Sequence, residues 1–156
     1  MVKRDIFAAD FETTVFPGQT YTEVWSAATV KLYSDEPPLV FHSIGELFSY
    51  YFKMHKSILV YMHNLKFDGQ FIVYFLLKTL KFTQAFSEET QDFMSRHDMP
   101  NKSFIATISD FGLWYSIVIK YGGHIIEIRD SLKLLPFSLK EIAEDFNTLH
   151  KKLDME

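Results

Sequence analysis

Hydrophobic and polar positions along the chain alternate with two distinct periods. Ile6-Phe7-Ala8-Ala9 is an apolar run that leads into two carboxylates one residue apart, Asp10-Phe11-Glu12, then Thr13-Thr14. In an extended backbone side chains alternate, so Asp10 and Glu12 share one face and Ala9 and Phe11 the other. Within residues 21–33, Val24, Ser26, Ala28, Val30 and Leu32 keep one parity and predict a second strand, with Leu39-Val40-Phe41 as a short third. Phe16-Pro17-Gly18-Gln19 and Asp35-Glu36-Pro37-Pro38 read as the turns between them, so an antiparallel meander starts at the carboxylate strand.

The period then becomes helical. Ser43-Ile44-Gly45-Glu46 has capping-box form, and Ile44, Leu47, Phe48, Tyr51 and Phe52 follow with i, i+3, i+4, i+7, i+8 spacing. Ser57-Ile58-Leu59-Val60-Tyr61 is a buried-strand run. A second helix is expected over about 69–80, apolar nearly all round and therefore deeply packed. Residues 87–103 lose periodicity and read as a mobile loop or insertion. Strands are expected at 104–109, 113–121 and 124–129, joined by turns at Asp110-Phe111-Gly112 and Gly122-Gly123. A second capping box, Ser138 to Glu141, opens a helix with Leu139, Ile142, Ala143 and Phe146 on one face. The sum is a single α/β domain over 1–156 with a central mixed sheet flanked by helices.

Composition narrows the classes. With 47% hydrophobic residues and sixteen Phe among 156, the chain can bury a substantial core. The absence of cysteine excludes disulfides and thiolate metal sites and fits a reducing cytoplasm. No apolar run approaches the ~18 residues of a membrane span, and no secretory signal follows Lys3-Arg4-Asp5. A net charge of −4 argues against a protein that coats duplex DNA, whose affinity comes from neutralising phosphates. It leaves room for an enzyme acting at a strand end, where aromatic rings can stack on bases.

Two stretches carry candidate chemistry. Two like charges in an otherwise buried strand are costly unless a cation neutralises them, and all-oxygen ligands suit Mg²⁺ or Mn²⁺. Taken alone, Asp10 and Glu12 are also compatible with a strand end in water and no metal. Tyr61-Met62-His63-Asn64-Leu65-Lys66-Phe67-Asp68-Gly69 follows a buried strand and precedes a helix, the customary address of a site in an α/β sheet. Alone, Asp68 reads as a helix N-cap, Asn64 as a turn former and His63 as a packed or surface histidine. Beside Asp10 and Glu12 the reading changes. Three carboxylates at strand ends can hold two divalent cations about 4 Å apart, one activating water and one stabilising the leaving oxygen.

Ala9-Asp10-Phe11-Glu12-Thr13-Thr14 and His63-Asn64-Leu65-Lys66-Phe67-Asp68-Gly69 resemble the first two exonuclease motifs of family B DNA polymerases, closest to the protein-primed branch of phages and linear plasmids. Asp130-Ser131-Leu132-Lys133-Leu134-Leu135-Pro136-Phe137, with Lys140-Glu141-Ile142-Ala143-Glu144-Asp145-Phe146 after it, is similar to a further signature of that branch. The resemblance implies a ribonuclease-H-like 3′-5′ exonuclease domain that proofreads a growing DNA strand with two Mg²⁺ or Mn²⁺ ions. It implies metal-ligand roles for Asp10, Glu12 and Asp68. It also implies contacts to a single-stranded 3′ end for Thr13, His63, Asn64, Phe67 and Phe71. Ser131, Leu132 and Phe137 become contacts to the strand or to the terminal (priming) protein, and Lys152, with Lys151 as alternative, becomes the catalytic lysine. The family's third motif, a Tyr and a fourth carboxylate, is not met before Glu156, so a weakened site is expected unless the remainder of the polymerase is supplied separately. The expected setting is the cytoplasm of a bacterial host, without a membrane.

Overall fold

The computed structural model describes residues 4–14, 18 and 22–131. Leu132, Phe137, Lys151, Lys152 and the helix expected after Ser138 lie outside the described residues, as does most of the turn at 16–19.

Strand β1 (Asp5–Thr13) pairs antiparallel with β2 (Val24–Lys31), which pairs antiparallel with β3 (Leu39–Phe41), the meander the alternation predicts. Helix α1 (Ile44–Lys53) then crosses the sheet. Its N-cap Ser43 accepts the Glu46 N–H at 3.1 Å, and Glu46 Oε2 accepts the His42 N–H at 2.8 Å, a capping box reaching one residue further back than expected. The crossover delivers β4 (Ile58–Met62) to the free side of β1, parallel to it.

After β4 comes α2 (Leu65–Tyr74), extended by a π-helical turn over Phe75–Thr79. The helix begins four residues before the expected start. Asn64 occupies the N-cap position in the left-handed region (φ 61°, ψ 59°), which asparagine tolerates, and so turns the chain directly from strand into helix. Gly69 is therefore inside the helix. Its missing side chain is explained by Trp114, because a Cβ there would stand 2.8 Å from the indole Cε3. Nor is α2 buried all round: Leu65, Asp68, Gly69 and Ile72 face inward, while Phe67 and Tyr74 are exposed.

The remaining strands are β5 (Thr83–Gln84), β6 (Phe86–Ser87), β7 (Asp92–Phe93), β8 (Ser103–Ile108), β9 (Trp114–Tyr121) and β10 (His124–Asp130). Strands β6 and β7 form a separate two-stranded ribbon within the stretch read as loop, and Met99 is buried against Ala85, Ile105 and Val118. Among the described residues the main sheet has eight strands in the order β3-β2-β1-β4-β10-β9-β8-β5. Both helices cover one face, where Phe7, Ala9, Phe11, Val60, Met62, Ile126 and Ile128 meet Leu47, Phe48, Tyr51, Leu65 and Ile72. The opposite face carries two smaller clusters, one around Ala8, Ala28 and Leu32 and one around Ala85, Met99, Ile105 and Val118, with no helical residue in either among the described residues. No helix of the described residues is long and apolar enough to cross a membrane.

Candidate active site

The site follows from the direction of three neighbouring strands. β1, β4 and β10 run parallel at the centre of the sheet, so their carboxyl ends share one edge. Ala9 is the register partner of Met62, and Met62 that of Asp130, which sets the last common row across the three. Beyond this row β1 continues alone on that side, while Asp10, Phe11 and Glu12 stay paired with Ala28, Ala27 and Ser26 of β2. Ligand sites in open α/β sheets form at such carboxyl edges.

The first turn of α2 fills the space where β4 stops. There Asp68, only 4% exposed, accepts a hydrogen bond from the Phe11 backbone N–H. Burial pushes the Asp68 carboxyl up to about 8, the negative charges of Asp10 and Glu12 add to the rise, and the Phe11 hydrogen bond opposes it. Asp10 and Glu12 are half-buried. The structure thus brings the three sequence-predicted carboxylates into one electrostatic neighbourhood, as N-terminal strand and helix turn meet. Asp68 is not an N-cap: it is an interior residue of the first helical turn, and the cap position belongs to Asn64.

The other predicted residues surround this edge. His63, exposed at the end of β4, has its Nδ1 3.3 Å from Oγ of the buried Ser131 just after β10, which joins the 63–69 stretch to the one that begins at Asp130. Phe67 and Phe71 pack edge to face at 5.4 Å between ring centroids, with Phe67 45% exposed. Thr13 sits at an irregularity in β1, where the register shifts after Glu12, and its carbonyl accepts the Trp25 Nε1–H at 3.2 Å. Two participants went unassigned from sequence. Asp130 is buried at the same edge, and its signal was an acidic residue ending an apolar strand run. Trp114, whose ring fixes the approach of β9 to α2, had no legible signal.

The donor set is hard oxygen, and a carboxyl raised first by burial and then by two like charges is one whose charged form a divalent cation would favour, so the chemistry fits Mg²⁺ or Mn²⁺. Among the described residues, however, no three His, Asp or Glu side chains stand close enough to form a ready-made cage.

A mixed sheet with a parallel centre, an antiparallel meander at one side and this site edge is of the ribonuclease-H-like class. The family described as "DNA polymerase type B, organellar and viral" matches residues 51–156, and the chain belongs to that family. Among curated relatives, the DNA polymerase of Bacillus phage B103 is 33% identical over 150 residues, covering 92% of this chain and 23% of the relative. That of Bacillus phage phi29 is 31% identical over 159 residues, covering 98% and 25%. The chain therefore spans about a quarter of the length of the curated relatives it matches. Phi29 DNA polymerase complexed with primer-template DNA and incoming nucleotide substrates superposes with a TM-score of 0.66 at 30% identity, covering 94% of this chain and 24% of that one. The same enzyme complexed with single-stranded DNA also gives 0.66 at 30% identity, covering 93% and 24%.

Proposed function

We propose that this domain is the 3′-5′ exonuclease of a protein-primed family B DNA polymerase, hydrolysing the 3′ end of single-stranded DNA. The observation that carries the reading is the buried Asp68 carboxyl set against Asp10 and Glu12 at the carboxyl edge of β1. Asp10, Glu12 and Asp68 would hold Mg²⁺ or Mn²⁺. Bound there, the metal would supply an activated water and neutralise charge on the leaving oxygen. The Phe11 N–H fixes the Asp68 carboxyl, so its position is set before substrate arrives. His63, held by Ser131, and the exposed Phe67 beside Phe71 offer polar and stacking contacts to a frayed strand. Thr13 and Asn64 border the same edge, Leu132, Phe137 and Lys152 extend the reading through the resemblance alone, and the terminal protein is the further partner proposed.

Manganese-dependent shortening of a labelled single strand tests the reading. Asp10→Ala should abolish it, and a variant that digests as fast as the parent would show that the activity belongs elsewhere. The exposure of Phe67 favours a second reading, a binding module with negligible turnover. In that case single-strand binding survives Asp10→Ala, falls on Phe67→Ala by about 1–3 kcal/mol, and no cleavage accompanies it.

A further inference from the structure

The face of the sheet opposite α1 and α2 carries a cluster of arginines that the nuclease reading leaves without a role. Glu127 of β10 is 2% exposed, yet three guanidinium groups converge on it. Arg4 Nη1 and Arg96 Nη1 both donate to Oε1 at 2.7 Å, and Arg129 Nε donates to Oε2 at 2.5 Å. They come from the start of β1, from the 87–103 segment and from β10, so the cluster is assembled by tertiary structure. One carboxylate balances one of the three charges, leaving an excess of two. A carboxylate also has too few lone pairs for the five donors of each guanidinium. The side chains of Arg4, Arg96 and Arg129 are 34%, 50% and 41% exposed, so donors remain at the surface. Arg129 additionally hydrogen-bonds Tyr61 of β4.

Position ties this cluster to the site. Glu127 and Arg129 alternate with Ile126 and Ile128, which face the helices, so they occupy the opposite face. Asp10 and Glu12 share the parity of Ile6 and Ala8, which belong to that same face. Ala8, Tyr61 and Arg129 are register partners in one row, and Asp10 lies two residues beyond Ala8. Two strand spacings and one two-residue step separate Asp10 from Arg129, roughly 12 Å. A planar, bidentate-capable cation at that distance suits the phosphates of a strand whose end lies at the carboxylates.

We infer that Arg96, Arg129 and Arg4, held in place by Glu127, form a phosphate-binding track on the face opposite α1 and α2 that grips the DNA strand whose end enters the carboxylate site. This rests on the nucleic-acid reading of that site. Binding to phosphate, rather than cleavage, is what the cluster contributes, so its function is independent of metal.

The test is the salt dependence of oligothymidylate binding by the whole chain in chelator, where no cleavage can intervene. Arg96→Gln, which leaves Glu127 two partners, should lower the slope of log K against log[salt] by about 0.7, so its deficit relative to the parent shrinks about 2.6-fold between 50 and 200 mM salt. Arg129→Gln should do the same, and Arg129→Lys should restore the slope. Lys53→Gln removes the same charge from α1, on the helix-covered side, and should leave the slope unchanged. Equal slope losses in Arg96→Gln and Lys53→Gln would reduce the effect to net charge and overturn the inference. Unchanged slopes in both arginine variants would overturn it too. If the parent binds no single strand, this inference and the nucleic-acid reading fall together. If it binds with the predicted slopes but never cleaves, only the nuclease reading fails.

Discussion

Asp68→Asn separates the electrostatic account of the site from one in which the carboxylates are merely neighbours. In the metal-free chain, burial first and then the charges of Asp10 and Glu12 raise the Asp68 carboxyl from 3.8 to about 8. Between those values the folded chain holds a proton that the unfolded chain has released, so stability falls as pH rises through the window. At about 1.4 kcal/mol per pH unit the loss is at most about 6 kcal/mol, comparable with the ~5–15 kcal/mol that holds a typical domain together. Asparagine keeps an oxygen to accept the Phe11 N–H and has no charge to bury. Urea unfolding followed by tryptophan fluorescence, in chelator, is the assay. Near pH 5, about 1.2 units into the window, the variant should lead by roughly 1.6 kcal/mol, give or take the ~1 kcal/mol of one altered neutral hydrogen bond. Near pH 9 the variant should be the more stable by about 4–6 kcal/mol, within the bound set by the pKa change. Adding Mn²⁺ should stabilise the parent and not the variant, which narrows the gap. Parallel stability curves for the two chains from pH 5 to 9 would refute the reasoning, because Asp68 would then carry no buried charge.

Two further predictions concern the framework. Gly69→Ala places a Cβ 2.8 Å from the Trp114 ring, and the clash should cost about 1–3 kcal/mol in a thermal or urea melt, against ~1 kcal/mol of helix preference gained. Trp114→Leu in the same chain should recover part of the loss. For Glu127, burial pushes the carboxyl up, but hydrogen bonds from Arg96, Arg4 and Arg129 outweigh it and hold the group at about 2. Its stabilisation is present above its ordinary value of 4.5 and is lost as pH falls toward 2, an amount of about 3 kcal/mol. Glu127→Gln should therefore be less stable at pH 7 and show a flatter acid limb, and an unchanged acid limb would contradict the assignment.

Much of the architecture was legible because period and burial coincide. The three residues of β3 and the antiparallel run from β8 to β10 follow directly from alternation and glycine turns. The start of α2 was not legible, since Asn64 makes the strand-to-helix turn through a left-handed backbone and Gly69 looks like a helix boundary when it is a packing contact. The stretch from 86 to 103 conceals the β6–β7 ribbon because its strands, Phe86–Ser87 and Asp92–Phe93, are two residues long, too short for alternation to show in the local hairpin they form. Of the site, Asp10 and Glu12 alone also read as a strand end and Asp68 as a cap, so the three became a set only when placed together, with their ligand roles implied by the resemblance of the two motifs. The meeting of His63 with Ser131, and of three arginines on Glu127, depends on register across strands that no local pattern encodes.

The proposed function requires that side chains from β1 and α2 make one cation-binding pocket. Mn²⁺ binding, followed by the loss of its free-ion paramagnetic resonance signal, tests this most directly in the parent and in Asp10→Asn, Glu12→Gln and Asp68→Asn. Each substitution should weaken binding at least tenfold, about 1.4 kcal/mol, and any two together should lose less than the sum because they act on one ion. Mn²⁺ affinity that is indifferent to residue 68, or that falls additively as though residues 10 and 68 served separate ions, would contradict it.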